Sequence, residues 1–369
     1  MKILLWALQY LPSIGGIEII THALAKQLQS MDHEVLVISN SNLKPAEAVM
    51  YDGVRVVTFP FTKALLDFNL KHIKEILEAI HQLMDGYAPD ILHIHGWIEC
   101  NAYFQVRILE KKKIPLILTL HCFRTIPNYR TVQCLRLWAM ASSVTTVCHS
   151  MVKEAESYGY LPYKKVRCIY NGLAMLKAPI KKRSICFKKN ILALGRLADD
   201  KGFDIAFYAI QLLLEKHPDV RLTLVGGGLE FNALMALRNQ LNLQNYIEMT
   251  NYVAPGDAIY AHIDAASIIL LPSTYDVFPL VAIETAMRGR PIIASRVGGL
   301  PEMVVDGETG LLVAPKNPQA LAEAIDQLLS DPKKMHEMGV NAKKRARQFF
   351  TAEKMTEQYV SLYQALLGA

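Results

Sequence analysis

The sequence predicts an α/β protein in which a doubly wound fold is built twice. Three observations carry this reading. The 369 residues are too many for one ordinary core and suit two domains of roughly 150 to 200 residues each. Short apolar runs alternate with segments of helical spacing from end to end, the signature of parallel sheets covered on both faces. The alternation lapses once, between Asn171 and Lys189, where Pro179 and the run Lys181-Lys182-Arg183 mark a linker.

Each element has a local reason. Lys2–Leu8 is apolar but only about as long as a buried strand. Gln9, Pro12 and Gly15-Gly16 follow it without a small-residue cleavage pattern, so a strand is expected and not a signal peptide. Ile17–Met31 repeats Ile20, Leu24 and Leu28 at helical spacing. Glu34–Ser39, Val54–Phe59, Ile91–His95, Leu116–Leu120 and Val144–Val147 read as short strands, with helices over Lys71–Met84 and Asn101–Lys112. In the second half, strands are expected at Asn190–Leu194, Arg221–Val225, Tyr246–Met249, Ile268–Leu271 and Ile292–Ser295. Ile205–Lys216, Leu229–Leu241 and Val281–Met287 supply its helices, and Ala352–Leu367 is a closing helix. Domains are therefore expected at 1–170 and 190–350, joined by a linker over 171–189. The tail, 351–369, is expected to pack back on the first domain. Two facing Rossmann-like domains would form a cleft lined by the carboxyl ends of both sheets, where open α/β sheets bind ligands.

Composition narrows the function classes. An apolar fraction of 51% with 20% charged residues excludes disorder, collagen and coiled coil. No apolar run approaches the roughly 18 residues of a membrane-spanning helix. The six cysteines are never closer than 12 positions, so neither a disulfide framework nor a Cys/His metal spacing is present, and reduced thiols in a cytoplasmic protein are expected. The net charge of +6 is uneven: residues 1–180 carry 19 Lys and Arg against 14 Asp and Glu, the rest 21 against 20. A basic first half suits an anionic ligand, an anionic membrane surface or nucleic acid, and composition does not choose among them.

The chemistry-bearing stretches lie at strand ends. Strand Lys2–Leu8 runs into Ser13-Ile14-Gly15-Gly16-Ile17-Glu18, a turn that lets backbone approach a ligand at a helix N-terminus, or is only a tight turn. Gly195-Arg196 with Lys201-Gly202 places two cations around one turn, suited to a diphosphate or to a solvated loop. Gly226-Gly227-Gly228 ends another strand. Between Leu271 and Glu284 a strand gives way to a loop with Asp276 and then to a helix carrying Glu284. Free amides there suit phosphate and a carboxylate can accept two ribose hydroxyls, although capping acids would look the same. Gly298-Gly299-Leu300-Pro301-Glu302 follows, and Asp306-Gly307-Glu308-Thr309-Gly310 reads as a hairpin-like turn.

Taken in order along nearly the whole chain, these stretches and Asn171-Gly172 resemble those of the retaining glycosyltransferases of family 4, which have the GT-B fold. The resemblance implies roles. Glu284 matches the acid that binds the donor ribose, and Asp276 the acid that contacts hydroxyls of the transferred sugar. The amides of Phe278, Leu280 and Val281 would serve sugar and diphosphate. Arg196 and Lys201 match the basic pair on the diphosphate, and Gly226 belongs to the donor-binding set. Gly15 and Gly16 match the first-domain loop over the donor, and His121 matches a histidine beside the reacting sugar. His93 and His95 are expected to support the acceptor side. The sequence departs from the family at three places. Asp276 replaces the commoner glutamate, Pro279 stands where many members have glycine and lacks an N–H, and Asn171-Gly172-Leu173-Ala174 lacks the usual aspartate.

The implied function is retaining transfer of a hexose-type sugar from a UDP- or GDP-linked donor to a sugar or lipid-linked acceptor, in cell-surface glycan or glycolipid synthesis. Neither a metal nor another cofactor is expected, nor a nucleic-acid partner. The location is cytoplasmic, with peripheral contact at the inner face of the membrane open to the basic first domain. The helix end Glu110-Lys111-Lys112-Lys113 is one place for that contact, or a solvated helix end. Lys343-Lys344-Arg345-Ala346-Arg347 is expected to be a helix face. Two rivals stay open: a nucleotide-sugar epimerase and a catalytically inactive sugar-nucleotide-binding module.

Overall fold

A computed structural model describes residues 1–41, 48–96, 99–122, 132–157, 166–175, 189–253 and 256–368. The expected linker's Pro179 and Lys181-Lys182-Arg183 lie outside the described residues. The chain divides into two compact units, one of Met1–Ala174 with Ala352–Ala369 and one of Met175–Thr351.

The first unit contains β1 (Lys2–Ala7), α1 (Gly16–Ser30), β2 (Glu34–Asn40), β3 (Ala48–Tyr51), β4 (Val54–Phe59), α2 (Phe61–Leu66), α3 (Leu70–Tyr87), β5 (Ile91–His95), α4 (Glu99–Leu109), β6 (Leu116–Leu120), α5 (Val132–Met140), β7 (Ser143–Thr146), α6 (His149–Ser157) and β8 (Val166–Cys168). The strand order is β3-β4-β2-β1-β5-β6-β7-β8. All pairings are parallel except β3 with β4. β1 lies between β2 and β5, and Ile3 through Ala7 are wholly buried, as a strand covered on both faces requires.

The second unit contains β9 (Asn190–Leu194), α7 (Phe203–Leu213), β10 (Arg221–Val225), α8 (Phe231–Gln240), β11 (Ile247–Thr250), α9 (Asp257–Ala265), β12 (Ile268–Leu271), α10 (Leu280–Met287), β13 (Ile292–Ser295), α11 (Leu300–Met303), β14 (Gly310–Val313), α12 (Pro318–Ser330) and α13 (Pro332–Phe349). Its sheet is fully parallel in the order β11-β10-β9-β12-β13-β14. Ile191, Ala193, Leu222, Leu224, Ile268 and Leu270 join Phe203, Phe207 and Ile210 of α7 in one core. The Asp306–Gly310 turn corrects the hairpin expectation. Gly307 N donates to Gly310 O, but β14 then runs parallel to β13.

The chain ends in α14 (Ala352–Leu367), which packs against α1 within the first unit. Ala352 N donates to Leu173 O (2.9 Å), and Gly172 N lies 3.4 Å from Met355 Sδ. Tyr359 and Tyr363, one helical turn apart, carry α14 into a buried polar cluster. Tyr363 Oη lies 2.7 Å from His93 Nδ1, His93 Nε2 lies 2.7 Å from Thr119 Oγ1, and Thr119 Oγ1 meets Thr145 Oγ1 (2.6 Å) and Tyr359 Oη (3.1 Å). The dipeptide spacing of His93 and His95 puts both on one face of β5.

Tyr363→Phe should leave His93 Nδ1 buried without a partner. Chemical denaturation should show a loss of about 1–3 kcal/mol, the cost of one stranded buried polar group. An unchanged midpoint would mean that the hydroxyl contributes nothing.

Candidate functional site

In the second unit the strand order reverses at β9, whose neighbours β10 and β12 are reached by chain running to opposite sides. A doubly wound sheet opens a crevice at the carboxyl ends of its strands at such a point. The loop after β9 carries Arg196 and Lys201, and the loop after β12 carries Asp276. Lys201 Nζ donates to Asp276 Oδ2 (2.7 Å), and Ser273 Oγ donates to the same oxygen (3.2 Å). Asp276 is buried, at 8% exposure, while the Lys201 side chain keeps 20%. Arg196 is placed differently. Its side chain is 71% exposed and lies 3.8 Å from Asp200. The two cations thus have separate partners in the ligand-free protein.

Backbone contacts lock these loops together. Asp200 O accepts from Thr274 N (2.8 Å) and Tyr275 N (3.3 Å), and Gly227 O accepts from Leu197 N (2.9 Å). Gly226 lies so close to Gly195 that a Cβ would sit 1.9 Å from the Gly195 carbonyl oxygen. Gly298, at φ +51°, would place a Cβ 1.7 Å from Asp276 O. Only glycine fits either position, and the second one fixes the backbone that carries Asp276.

α10 starts directly after this loop. Its N-cap is Pro279, which supplies no side-chain cap. Ala282 N donates to Pro279 O, so the amides of Leu280 and Val281 precede the helix's own acceptors and form the positive end of its dipole. Phe278 is buried and packs edge-on against Phe350 at 5.6 Å. Glu284 lies in the second turn, and among the described residues its carboxylate has no hydrogen bond or ion pair. Burial pushes its pKa up to about 7. A capping acid would sit at the helix start with amide partners; Glu284 has neither feature.

In the first unit, β1 leads through the Gly15-Gly16 turn into α1, with extended Gly15 as N-cap and no side-chain cap. His121 follows β6, and its Nε2 lies 3.2 Å from His95 Nδ1. Burial lowers the pKa of His121 to about 4, that of His93 to about 3 and that of His95 well below the usual histidine range. All three imidazoles are therefore neutral at pH 7. The basic helix end expected as a membrane contact is partly committed elsewhere: α4 stops at Leu109, Lys112 pairs with Asp85, and Glu110 pairs with Arg136. Lys343-Lys344-Arg345 lies on α13, where Arg345 donates to Glu302 O (2.6 Å) and stacks over Phe349. Cys122, Cys134, Cys148 and Cys168 are free of disulfides.

Sequence reasoning passed over Ser273, although it sits in the same strand-end loop as Asp276. It also gave Tyr359 and Tyr363 no role, and their i, i+4 spacing shows only a buried helix face.

Two parallel-sheet units with donor-type loops at the switch point define a GT-B glycosyltransferase. Comparison with known proteins agrees. The Glycosyltransferase Family 4 model matches residues 14–174, and the Glycosyl transferases group 1 model matches residues 181–345. Glycogen synthase from Mycobacterium tuberculosis is 26% identical, over 99% of this chain and 95% of its own length. Sucrose-phosphate synthase from Thermosynechococcus elongatus superposes with a TM-score of 0.80 at 21% identity, over 100% of this chain and 99% of that one. Anabaena HepE in complex with UDP and glucose superposes at 0.76, also at 21% identity, covering 99% and 100%. The two models between them match most of the chain, which is a family 4-like glycosyltransferase.

The raised Glu284 pKa makes a signed prediction. The acid form is the better buried one, so its stabilisation is complete below about pH 4.5 and disappears as pH rises through about 7. Glu284→Gln mimics the neutral acid at every pH. The ligand-free variant should match wild type near pH 4 and exceed it by about 1–3 kcal/mol near pH 8. Denaturation curves at both pH values check this, and a pH-independent difference would contradict it.

Proposed function

We propose that this glycosyltransferase moves a hexose-type sugar, with retention, from a nucleoside-diphosphate donor to a lipid-borne acceptor in cell-surface glycan or glycolipid synthesis. The observation that carries the donor reading is the Lys201–Asp276 pair beside the uncapped start of α10, followed by the unpaired acid Glu284. The UDP and glucose bound by HepE, on the same fold, favour a UDP-linked hexose, with GDP as the alternative base. Glu284 would accept the two ribose hydroxyls, which supply the partners its half-buried carboxylate lacks. Asp276 would receive hydroxyls of the sugar, while Phe278, Leu280 and Val281 offer their amides to sugar and diphosphate. Gly226 would let backbone approach the donor, and Gly15, Gly16 and His121 would keep the loop and sugar-contact roles that the family resemblance implies.

The bond from the anomeric carbon to the diphosphate oxygen breaks with its electron pair going to that oxygen. Lys201, with Arg196 swinging from its exposed position, stabilises the growing charge. The acceptor hydroxyl attacks from the same face and passes its proton to the departing phosphate. None of these steps calls on a metal. Family membership favours transfer over epimerisation. Turnover with a panel of lipid-linked and free sugars, in excess chelator, tests the whole reading against an inactive binding module.

Lys201→Met should lower kcat by about 100-fold, as expected for one lost electrostatic stabiliser, with a smaller rise in donor Kd. A change confined to Kd would take Lys201 out of the chemical step.

The acceptor side has its own support. At the turn between α2 and α3, Leu66, Phe68 and Leu70 are 73%, 86% and 79% exposed. Phe68 is held at φ +49°, an uncommon conformation for a bulky residue, with its ring outward. Lys63 flanks the turn, Asp67 lies within it, and Lys71 and Lys74 pair with Glu75 and Glu78 (3.9 and 3.7 Å), so the exposed apolar residues, and not net charge, support a bilayer interface. No helix among the described residues is long and apolar enough to cross a membrane. The protein should sediment with phosphatidylcholine vesicles containing phosphatidylglycerol, and Phe68→Ser with Leu70→Ser should abolish this. Absence of binding by wild type would remove the membrane reading.

A further inference from the structure

We infer that His95 is a positioning residue that holds His121 in the neutral tautomer with its proton on Nδ1. The two rings stack at 5.5 Å with 25° between their planes, and His95 Nδ1 faces His121 Nε2 at 3.2 Å. One of these nitrogens donates and the other accepts, so two arrangements compete. His95 Nε2 decides between them. It is buried and, among the described residues, has no hydrogen-bond partner. If His121 donated, His95 would carry its proton on Nε2, a buried N–H with nothing to accept it. If His95 donates from Nδ1, only a nitrogen lone pair is stranded, which is the cheaper defect. The proton of His95 therefore lies on Nδ1, His121 Nε2 accepts it, and the one proton of neutral His121 is on Nδ1.

The arrangement is held from behind. His93 lies 4.1 Å from His95, centroid to centroid, and is itself anchored between Tyr363 and Thr119. The chain's last helix thus supports a ring at the carboxyl edge of β6. His121 is partly exposed, and it offers a ligand a fixed N–H donor and not a lone pair. A sugar hydroxyl placed there must accept from His121 and donate elsewhere. This consequence rests on the proposed reading of His121 as a sugar contact; the tautomer does not.

The test is a long-range proton–nitrogen correlation spectrum of the ligand-free full chain with ring-labelled histidine at pH 7. The His121 signal is assigned by its loss in His121→Gln. Wild type should show His121 protonated on Nδ1. His95→Leu should lose this preference, and His95→Asn, whose amide N–H replaces that of Nδ1, should retain it. In turnover, His95→Leu should lower kcat by about tenfold or more with donor KM little changed, and Asn should restore most of the loss. Protonation of wild-type His121 on Nε2 would overturn the proposal, as would an unaltered His121 signal in His95→Leu. A lost tautomer with unchanged kcat would uphold the positioning role of His95 and remove His121 from the sugar site.

Discussion

In a sheet of parallel strands, every strand hands its chain to the next loop at the same edge, and the rest of this structure follows from that constraint. In the second unit it brings Lys201, from the loop after β9, and Asp276, from the loop after β12, within 2.7 Å although they are 75 positions apart. In the first unit the same rule puts Gly15-Gly16, His95 and His121 at the ends of β1, β5 and β6. Antiparallel strands would have scattered these groups over two edges.

Gathering loops at one edge crowds their backbones, and the second unit resolves this by leaving out side chains. Gly226 and Gly298 make room for carbonyls that a Cβ would strike. Gly298 is therefore part of how Asp276 is aimed, and Gly226 of how the loop after β9 is set, beyond any contact with a ligand. Because such loops are fixed before a ligand arrives, little ordering is left to the moment of binding.

Burial shifts the two kinds of acid–base group in opposite directions, each toward its neutral form. Glu284 is half-buried without a partner, and the loss of solvent raises its pKa to about 7. His93 and His95 of β5 are buried, and half-buried His121 stacks on His95, which keeps all three neutral and turns them into fixed hydrogen-bonding groups.

Much of this was legible in the sequence. Period and length marked the central strands because a strand buried on both faces must be a short apolar run; Ile91–His95 and Ile268–Leu271 were found to the residue. The turn residues marked the loops, and the order of those loops marked the family. What the sequence did not carry was partnership. The edge strand Ala48–Tyr51 is an apolar run of only four residues, three of them exposed, and so short a run does not announce a strand. Arg196 and Lys201 look equivalent by spacing, yet Lys201 meets Asp276 and Arg196 faces solvent, because only the fold decides which side of a turn is lined. Tyr359 and Tyr363 read as ordinary buried aromatics until α14 sets them against His93, 270 positions earlier for the Tyr363 contact. Local pattern records what a residue must be buried against in kind, while hydrogen bonds between distant elements depend on distances that exist only once the chain has packed.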